Sequence, residues 1–442
     1  MRRFAFLLCL ATACAGPSRT SRPGAETPAP QPGTPSAGTP AEPPVPELEP
    51  TGPSARELPP LGKHRVDSPE RVFTAEVEAT APPTLARNEG STRIDIPLGT
   101  EVALACFVYE RPLDAAGALL AVAKAVGAGP GVTVRRMEPT EVAVVAGAPA
   151  LFLRVDYETA TPGGGMGAGQ MKLMVSASPE LPLLCAHDEP GYTRTFRRIT
   201  TDLARSLQVP GRPRPPTRRE ELRVLKLDGR LAGFDWRTSR SVTGGTTRTE
   251  STTSLLLPGT GGGLRAEDST TTTLTDARNH LVELRHARAE EGVLALQVTL
   301  RRGREPATNT GSSGPEGLTV PGTSYRYEGR QGTRTLKGTF TSKRGLATED
   351  DVRVAVEKWL LSGDTSEVVL DVYRPAEDVT APVELSLRRD AASGPRAITL
   401  TAGANTAKAR VNDQGLLEWT ERARPEGKLT SELVHSQARG PY

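Results

Sequence analysis

Apolar and polar residues alternate through most of the chain beyond about residue 65, a spacing that predicts strands far more often than helices. Before residue 209 the strand-like runs are Thr92 to Leu98, Glu101 to Glu110, Val132 to Met137, Glu141 to Gly147, Ala150 to Glu158, Gln170 to Ser178 and Leu181 to His187. Each is short, β-branched or apolar, and bounded by Gly or Pro. Two stretches switch to helical spacing. Ala115 to Val126 follows Asp114, a residue suited to the N-cap, and Tyr192 to Leu207 sets Phe196, Ile199, Leu203 and Leu207 in one stripe against Arg194, Arg197, Arg198 and Arg205.

From 220 to 436 hairpins dominate. Asp228-Gly229 is a two-residue turn signal between RVLKL and RLAGFDW, and TTRTESTTSLLL and STTTTL suit exposed antiparallel strands. Val383 to Arg388 alternates with Val383, Leu385 and Leu387 inward. One helix interrupts: Thr348 and Asp351 make a capping box, Val352, Val356, Trp359 and Leu360 form its buried face, and Gly363 ends it. The acidic residues Glu349, Asp350 and Asp351 are explained by the positive end of that helix, not by a metal. Leu274 to Glu290 and Val411 to Glu426 both run strand, Asp turn, Leu-x-Glu strand and Ala-Arg, a hint of internal duplication. A curved sheet of such hairpins with a helix on its concave side resembles the LolA-like half-barrels, which implies an enclosed apolar cavity.

These elements predict an α+β fold: two β-rich domains, antiparallel sheets each with one or two packed helices, at 65–209 and 220–436. The Pro- and Arg-rich stretch 210–219 separates them as a solvated linker; it lacks the aromatics that nucleic-acid stacking would need. The first domain, with its closing helix and central hairpin, resembles the PsbP-like fold of several bacterial lipoproteins, which implies binding or assembly rather than catalysis.

The amino terminus reads as an address. Met1 to Arg3 are a positive n-region, Phe4 to Leu10 an apolar h-region, and Ala11-Thr12-Ala13 the small residues before a cut. Followed by Cys14, they resemble the lipobox of bacterial lipoproteins, with Ala11 where Leu is commonest. The resemblance implies a signal peptide over 1–13, acylation at Cys14 as the membrane attachment, and, with Ala15 rather than Asp next, the outer membrane more than the inner. An ordinary secretory cut is the alternative. Residues 14–60, rich in Pro, Ala, Thr and Gly, bury too little apolar surface to fold and read as a disordered tether. About 45 such residues give a coil of roughly 40 Å. No later stretch is long enough to span a bilayer, which takes about 20 apolar residues.

The chain has 442 residues, with 36% hydrophobic and 4% aromatic content, so its cores are modest for its length. A net charge of +3 gives no general drive toward nucleic acid or an anionic membrane. Four cysteines are present. If Cys9 leaves with the signal and Cys14 is acylated, Cys106 and Cys185 remain, and outside the cytosol such a pair is expected to cross-link. Each lies on a strand that leads into a helix, which predicts neighbouring strands. Two buried thiols, or a metal site joined by His187, are the alternatives.

Candidate chemistry is sparse. Thr161 to Gln170 satisfies a relaxed G-x-G-x-x-G/A spacing at Gly163, Gly165 and Ala168, but the next residues, from Met171 to Val175, alternate like a strand, so a flexible hairpin loop is favoured over a nucleotide site. His280, Glu283 and His286 would converge on a helix; on the strand their pattern predicts, the two histidines stand about 20 Å apart and Glu283 points away. His64 lies beside the tether and His435 near the carboxyl end. Nucleophile-elbow, phosphate-loop, zincin and Cys-x-x-Cys motifs are absent. The expectation is a non-enzymatic envelope lipoprotein, without cofactor, metal or nucleic acid, that binds a partner protein, lipid or polysaccharide. A carrier or sensor of an apolar ligand is the second reading, and a hydrolase of peptidoglycan or polysaccharide the third.

Overall fold

The computed structural model describes residues 56–161, 164–211, 217–259, 263–303, 322–362 and 367–438. Cys14, the signal and nearly all of the expected tether lie outside them. Among the described residues strands make up 58% and helices 13%, so the architecture is mostly β rather than evenly α+β.

The first domain opens with a two-stranded sheet, β1 (Gly62–Asp67) and β2 (Thr74–Ala79), followed by β3 (Thr84–Asn88), β4 (Ser91–Ile96) and β5 (Leu104–Tyr109). Helix α1 (Ala115–Gly127) leads to β6 (Val132–Val145), β7 (Ala148–Ala160), β8 (Met166–Ser176) and β9 (Leu183–Asp188), and α2 (Thr193–Ser206) closes the unit. The seven-stranded sheet runs β3-β4-β5-β9-β8-β7-β6, antiparallel throughout. Two runs expected as separate strands, 132–137 and 141–147, are one strand that absorbs Pro139 through register shifts at Val134/Arg136 and Pro139/Glu141. β1 and β3 lack a clean alternating pattern, while β2 alternates, with Ala75, Val77 and Ala79 buried between Thr74, Glu76 and Glu78. One sheet face carries Ile94, Leu104, Met174 and Leu183 under β1–β2 and the Phe196, Ile199 and Leu203 stripe of α2. The other carries Leu151, Leu173 and Leu184 under α1.

The second domain is one fourteen-stranded, nearly closed, barrel-like sheet. Its first eight strands form a meander: β10 (Arg219–Leu227), β11 (Arg230–Ser241), β12 (Thr247–Pro258), β13 (Leu264–Thr275), β14 (Leu281–Glu290), β15 (Val293–Arg302), β16 (Thr323–Gln331) and β17 (Arg334–Ser342). After α3 (Glu349–Ser362) come β18 (Val368–Val372), β19 (Val383–Arg389), β20 (Ala397–Ala402), β21 (Asn405–Val411), β22 (Leu417–Arg424) and β23 (Gly427–Ala438), and β23 returns to pair with β10. The edge strands β17 and β18 are drawn together at Asp371. Its backbone carbonyl accepts from Ala347 N–H at 2.8 Å, and its carboxylate accepts from the Ser342 hydroxyl at 2.8 Å and the Arg344 guanidinium at 3.0 Å.

The Asp228-Gly229 turn forms as its sequence demands, with φ of 47° and 80° between β10 and β11. The two hairpins suspected of duplication occupy equivalent places six strands apart in the sheet, β13–β14 and β21–β22. Both close on an Asx turn: Asp276 Oδ1 accepts from the N–H groups of Arg278 and His280 at 2.9 and 3.0 Å, and Asn412 Oδ1 from those of Gln414 and Leu416, both at 3.0 Å. Structural equivalence therefore pairs Asp276 with Asn412, one residue away from the Asp413 that the motif aligns.

The half-barrel expectation changes in one respect. Here α3 packs Val352, Val356 and Trp359 onto Leu387, Ile398, Ala409 and Val411, covering the apolar wall that a half-barrel would leave for a ligand. The opposite face of β10–β13 is also buried, since Leu222, Phe234, Trp236, Leu256 and Ala266 share a core with α1. The two domains are thus joined through a common apolar core.

Candidate functional site

A cleft in the first domain lies where three elements meet: the β6–β7 turn, the start of β9 and the end of α2. It measures about 520 Å³. Ala146 and Gly147 take positive φ (54° and 71°) to make the turn tight. Backbone bonds from Thr74 to Gln208 and back, both 2.9 Å, hold the residues after α2 in place. Leu181, Leu183 and Leu207 are buried along its floor. Ser176, Glu180, Arg205 and Gln208 supply the polar lining, and Arg205 also pairs with Asp202 at 3.2 Å. An apolar floor with an acid, a base, an amide and a hydroxyl above it suits noncovalent recognition of an amphipathic group.

The barrel lumen is the second charged site. Side chains that alternate with Phe234 and Trp236 turn inward, and there Arg237 meets Glu349 at 2.7 Å while Arg219 meets both Glu221 and, at 3.1 Å, Asp350. Burial opposes charge on Arg237, yet Glu349, Asp235 and Glu221 together hold its pKa above the ordinary value. The Glu349 carboxyl is raised by the protein atoms crowded around it despite Arg237, while its side chain stays more than half exposed. Burial would raise Glu221 as well, but Arg237, Arg219 and Arg223 outweigh it and keep its pKa low. Lower in the lumen, Arg424 of β22 reaches Glu267 of β13 at 2.8 Å, and Arg265 pairs with Glu426. The acidic start of α3, expected from the helix dipole alone, thus also docks onto arginines of the opposite wall. The capping box forms as expected, with Thr348 N–H donating to Asp351 at 2.7 Å and Asp351 N–H donating to the Thr348 hydroxyl at 3.2 Å. Gly363 lies outside the described residues.

Cys106 and Cys185 face each other in register on β5 and β9, with sulfurs at bonding distance and Cα atoms 4.0 Å apart. That pairing removes Cys185 from any metal set, and among the described residues no group of His, Cys, Asp and Glu is arranged to hold a metal ion. His187, on the same face, is fully buried beside Lys172. Burial and the Lys172 charge push its pKa down to about 3, and burial brings Lys172 down to about 8 against the pull of Asp188 and Glu189. A neutral imidazole next to an enclosed amine serves the core, with no opening through which to meet a substrate.

The H-x-x-E-x-x-H residues stay apart. His280 sits in the turn before β14, 3.6 Å from Asp276; His286 is buried, 2.9 Å from the Thr271 hydroxyl; Glu283 pairs outside with Arg285 and Arg301. The Gly-rich segment joins β7 to β8 as a hairpin, although residues 162 and 163 lie outside the described set. His64 approaches the Ala79 carbonyl at 3.3 Å, and His435 stacks on Trp236 with centroids 6.3 Å apart. Arg56 to Pro59, assigned by composition to the tether, dock on α2: Glu57 accepts from the N–H groups of Arg194 and Thr195 at 2.9 and 2.7 Å.

One expected role moves to a different residue. The Asp114 side chain makes no capping bond to α1. Asp268 of β13 does so instead, accepting from Ala116 N–H at 3.0 Å and Gly117 N–H at 2.8 Å. Sequence reasoning missed this residue and the lumen charges alike. The available signal was the interleaving of charge with bulky apolar residues in Glu221-Leu222-Arg223 and Phe234-Asp235-Trp236-Arg237, which marks strands buried on both faces.

No family model matches the sequence, and neither does any curated protein. Among solved structures, the chain is similar to a β-barrel-like protein of a domain of unknown function, DUF1849, from Brucella abortus. The likeness has 10% identity and a TM-score of 0.37, and covers 51% of this chain and 99% of that one.

Proposed function

We propose that this chain is a non-catalytic binding protein of the cell envelope, attached to a membrane, the outer one, through acylated Cys14, and that its first domain receives a partner in the cleft beside α2. The lipobox-like start supports the anchor. The observation that carries the binding role is the cleft itself, with the apolar floor of Leu181, Leu183 and Leu207 beneath Glu180, Arg205 and Gln208. The two domains share one core, so the barrel acts as a rigid mount for this surface. The Cys106–Cys185 disulfide fits an oxidising compartment.

A photo-crosslinking residue at Gln208, compared with one at Arg326 on the exposed barrel wall, tests the reading in intact cells. A discrete adduct from position 208 that disappears on Leu181→Arg supports it. Identical adduct patterns at both positions would rule the cleft out. Loss of labelled palmitate in Cys14→Ser tests the anchor independently.

The carrier reading draws support from one feature, the aliphatic wall of Leu387, Ile398 and Val411 beneath α3. An apolar ligand would have to displace Val356 and Trp359 to reach it. Mass spectrometry of lipids that copurify with the protein separates the two readings.

A further inference from the structure

Arg422 stands on β22 opposite Ala407 and Leu429, and Leu429 belongs to the leucine cluster of Leu225, Leu255 and Leu257. Two residues on, Arg424 crosses the lumen to Glu267, so the same face of β22 puts Arg422 inside the barrel.

The arginines near it have carboxylate partners, whereas Arg389, against α3, donates to the Trp359 carbonyl at 2.9 Å. Arg265 and Arg424 share Glu267 and Glu426. Arg219 and Arg223 share Glu221, Arg237 has Glu349, and Arg374 has Glu377 at 3.2 Å. Among the described residues Arg422 has none. Its strongest charged neighbours are the cations Arg424 and Arg374, with Glu267 and Asp235 acting more weakly. Desolvation by the surrounding wall and then those two like charges push its pKa below the ordinary arginine value, even though the residue as a whole is exposed. The side chain still meets solvent, so a solute can reach it.

We propose that Arg422, flanked by Arg424 and Arg374, forms an anion site in the barrel lumen that takes a phosphate group. A guanidinium presents its donors in a plane that matches two phosphate oxygens, and like-charged neighbours favour an anion beside it. Arg424 and Arg374 remain tied to carboxylates, so they shape the field while Arg422 makes the direct contact. A dianion gains more from neighbouring cations than a carboxylate does. The site is separate from the first-domain cleft and stands whether or not that cleft binds a partner.

Titrating the full-length protein with inorganic phosphate at low salt, followed by ³¹P line broadening, tests this, with dihexanoyl phosphatidic acid as a second probe carrying the same group on a lipid. The expected result is saturable binding that weakens at least tenfold in Arg422→Gln, is unchanged in Arg326→Gln, and falls partway in Arg422→Lys, which keeps charge but loses the fork. Equal affinity for both probes identifies a free phosphate compound as the ligand; a tenfold preference for the lipid identifies a headgroup. Absence of binding to either probe, or wild-type binding by a folded Arg422→Gln, would overturn the site.

Discussion

Asp268 accepts the backbone N–H of Gly117 at 2.8 Å, so a strand of the barrel caps a helix of the other domain. The same carboxylate takes Ala116 N–H and the Ser254 hydroxyl, the latter at 2.6 Å. Gly117 allows this closeness, since a Cβ there would meet both Asp268 and the backbone of Gly292 at 3.3 Å. Lys124–Glu291 at 3.0 Å adds an exposed tie further along α1.

Asp268→Ala is therefore expected to lower stability by about 1–3 kcal/mol, because it strands two helix N–H groups and a hydroxyl in a buried interface. The loss should appear as a lower urea midpoint, with faster proteolysis between 209 and 220. Asp268→Asn keeps one acceptor and should lose less. A midpoint for Asp268→Ala equal to wild type would show that the interface does not depend on this cap.

The same group makes stability depend on pH. Burial first, then Asp114, push the Asp268 carboxyl up to about 6 against its three hydrogen bonds. A carboxyl raised on folding contributes stability that is full below its unfolded value of 3.8 and is lost as pH rises through about 6. His187, down to about 3, and His286, down to about 4, work in the other direction: their contribution is full above 6.5 and is lost as pH falls. Between about pH 4 and 6 these trends oppose, and the wild-type profile should be shallow. Urea midpoints across that window should fall more steeply on acidification in Asp268→Asn and less steeply in His187→Gln.

Tyr327 lies across Gly338, its partner in register, and a Cβ on that glycine would overlap the phenol. Gly338→Ala should cost about 1–3 kcal/mol by forcing the ring away from Phe340, on which it stacks at 6.4 Å. Tyr327→Leu should absorb much of that cost, and the double-mutant cycle should show coupling. Strict additivity would contradict the overlap.

Cys106 and Cys185 are separated by 79 residues in sequence. Replacing both with alanine should remove up to about 4 kcal/mol in the chain-entropy picture. Melting with and without reductant checks it: wild type should shift and the double variant should not.

Trp359 is buried on α3 with the Arg389 guanidinium 5.1 Å above its ring. Trp359→Ala should cost about 3–5 kcal/mol and open the aliphatic wall of the barrel. Increased binding of an apolar dye by the folded variant would confirm that α3 is what covers this wall.

Legibility followed the range of the interaction. The capping box at Thr348 and Asp351, the Asp228-Gly229 turn and the α2 stripe depend on residues a few positions apart, and all were readable. The cysteine pair was readable because two apolar strands each led into a helix. The Asp114 cap failed because Asp268, 151 residues from Gly117, supplies the acceptor instead. The cleft draws its walls from residues near 146, 176, 181 and 205, and no local pattern connects them.

By itself, the sequence determined most of the strands and helices between about 92 and 209, the hairpin character of the second region, and the strands that carry Cys106 and Cys185, because each rests on local spacing or composition. Tertiary structure alone decided that fourteen strands curl until Asp371 gathers both edges, that α3 covers an apolar wall of the barrel, and that both faces of β10 and β11 are covered. Those outcomes depend on contacts between distant segments, whose free energy comes from mutual burial and ion pairing that neither segment encodes alone.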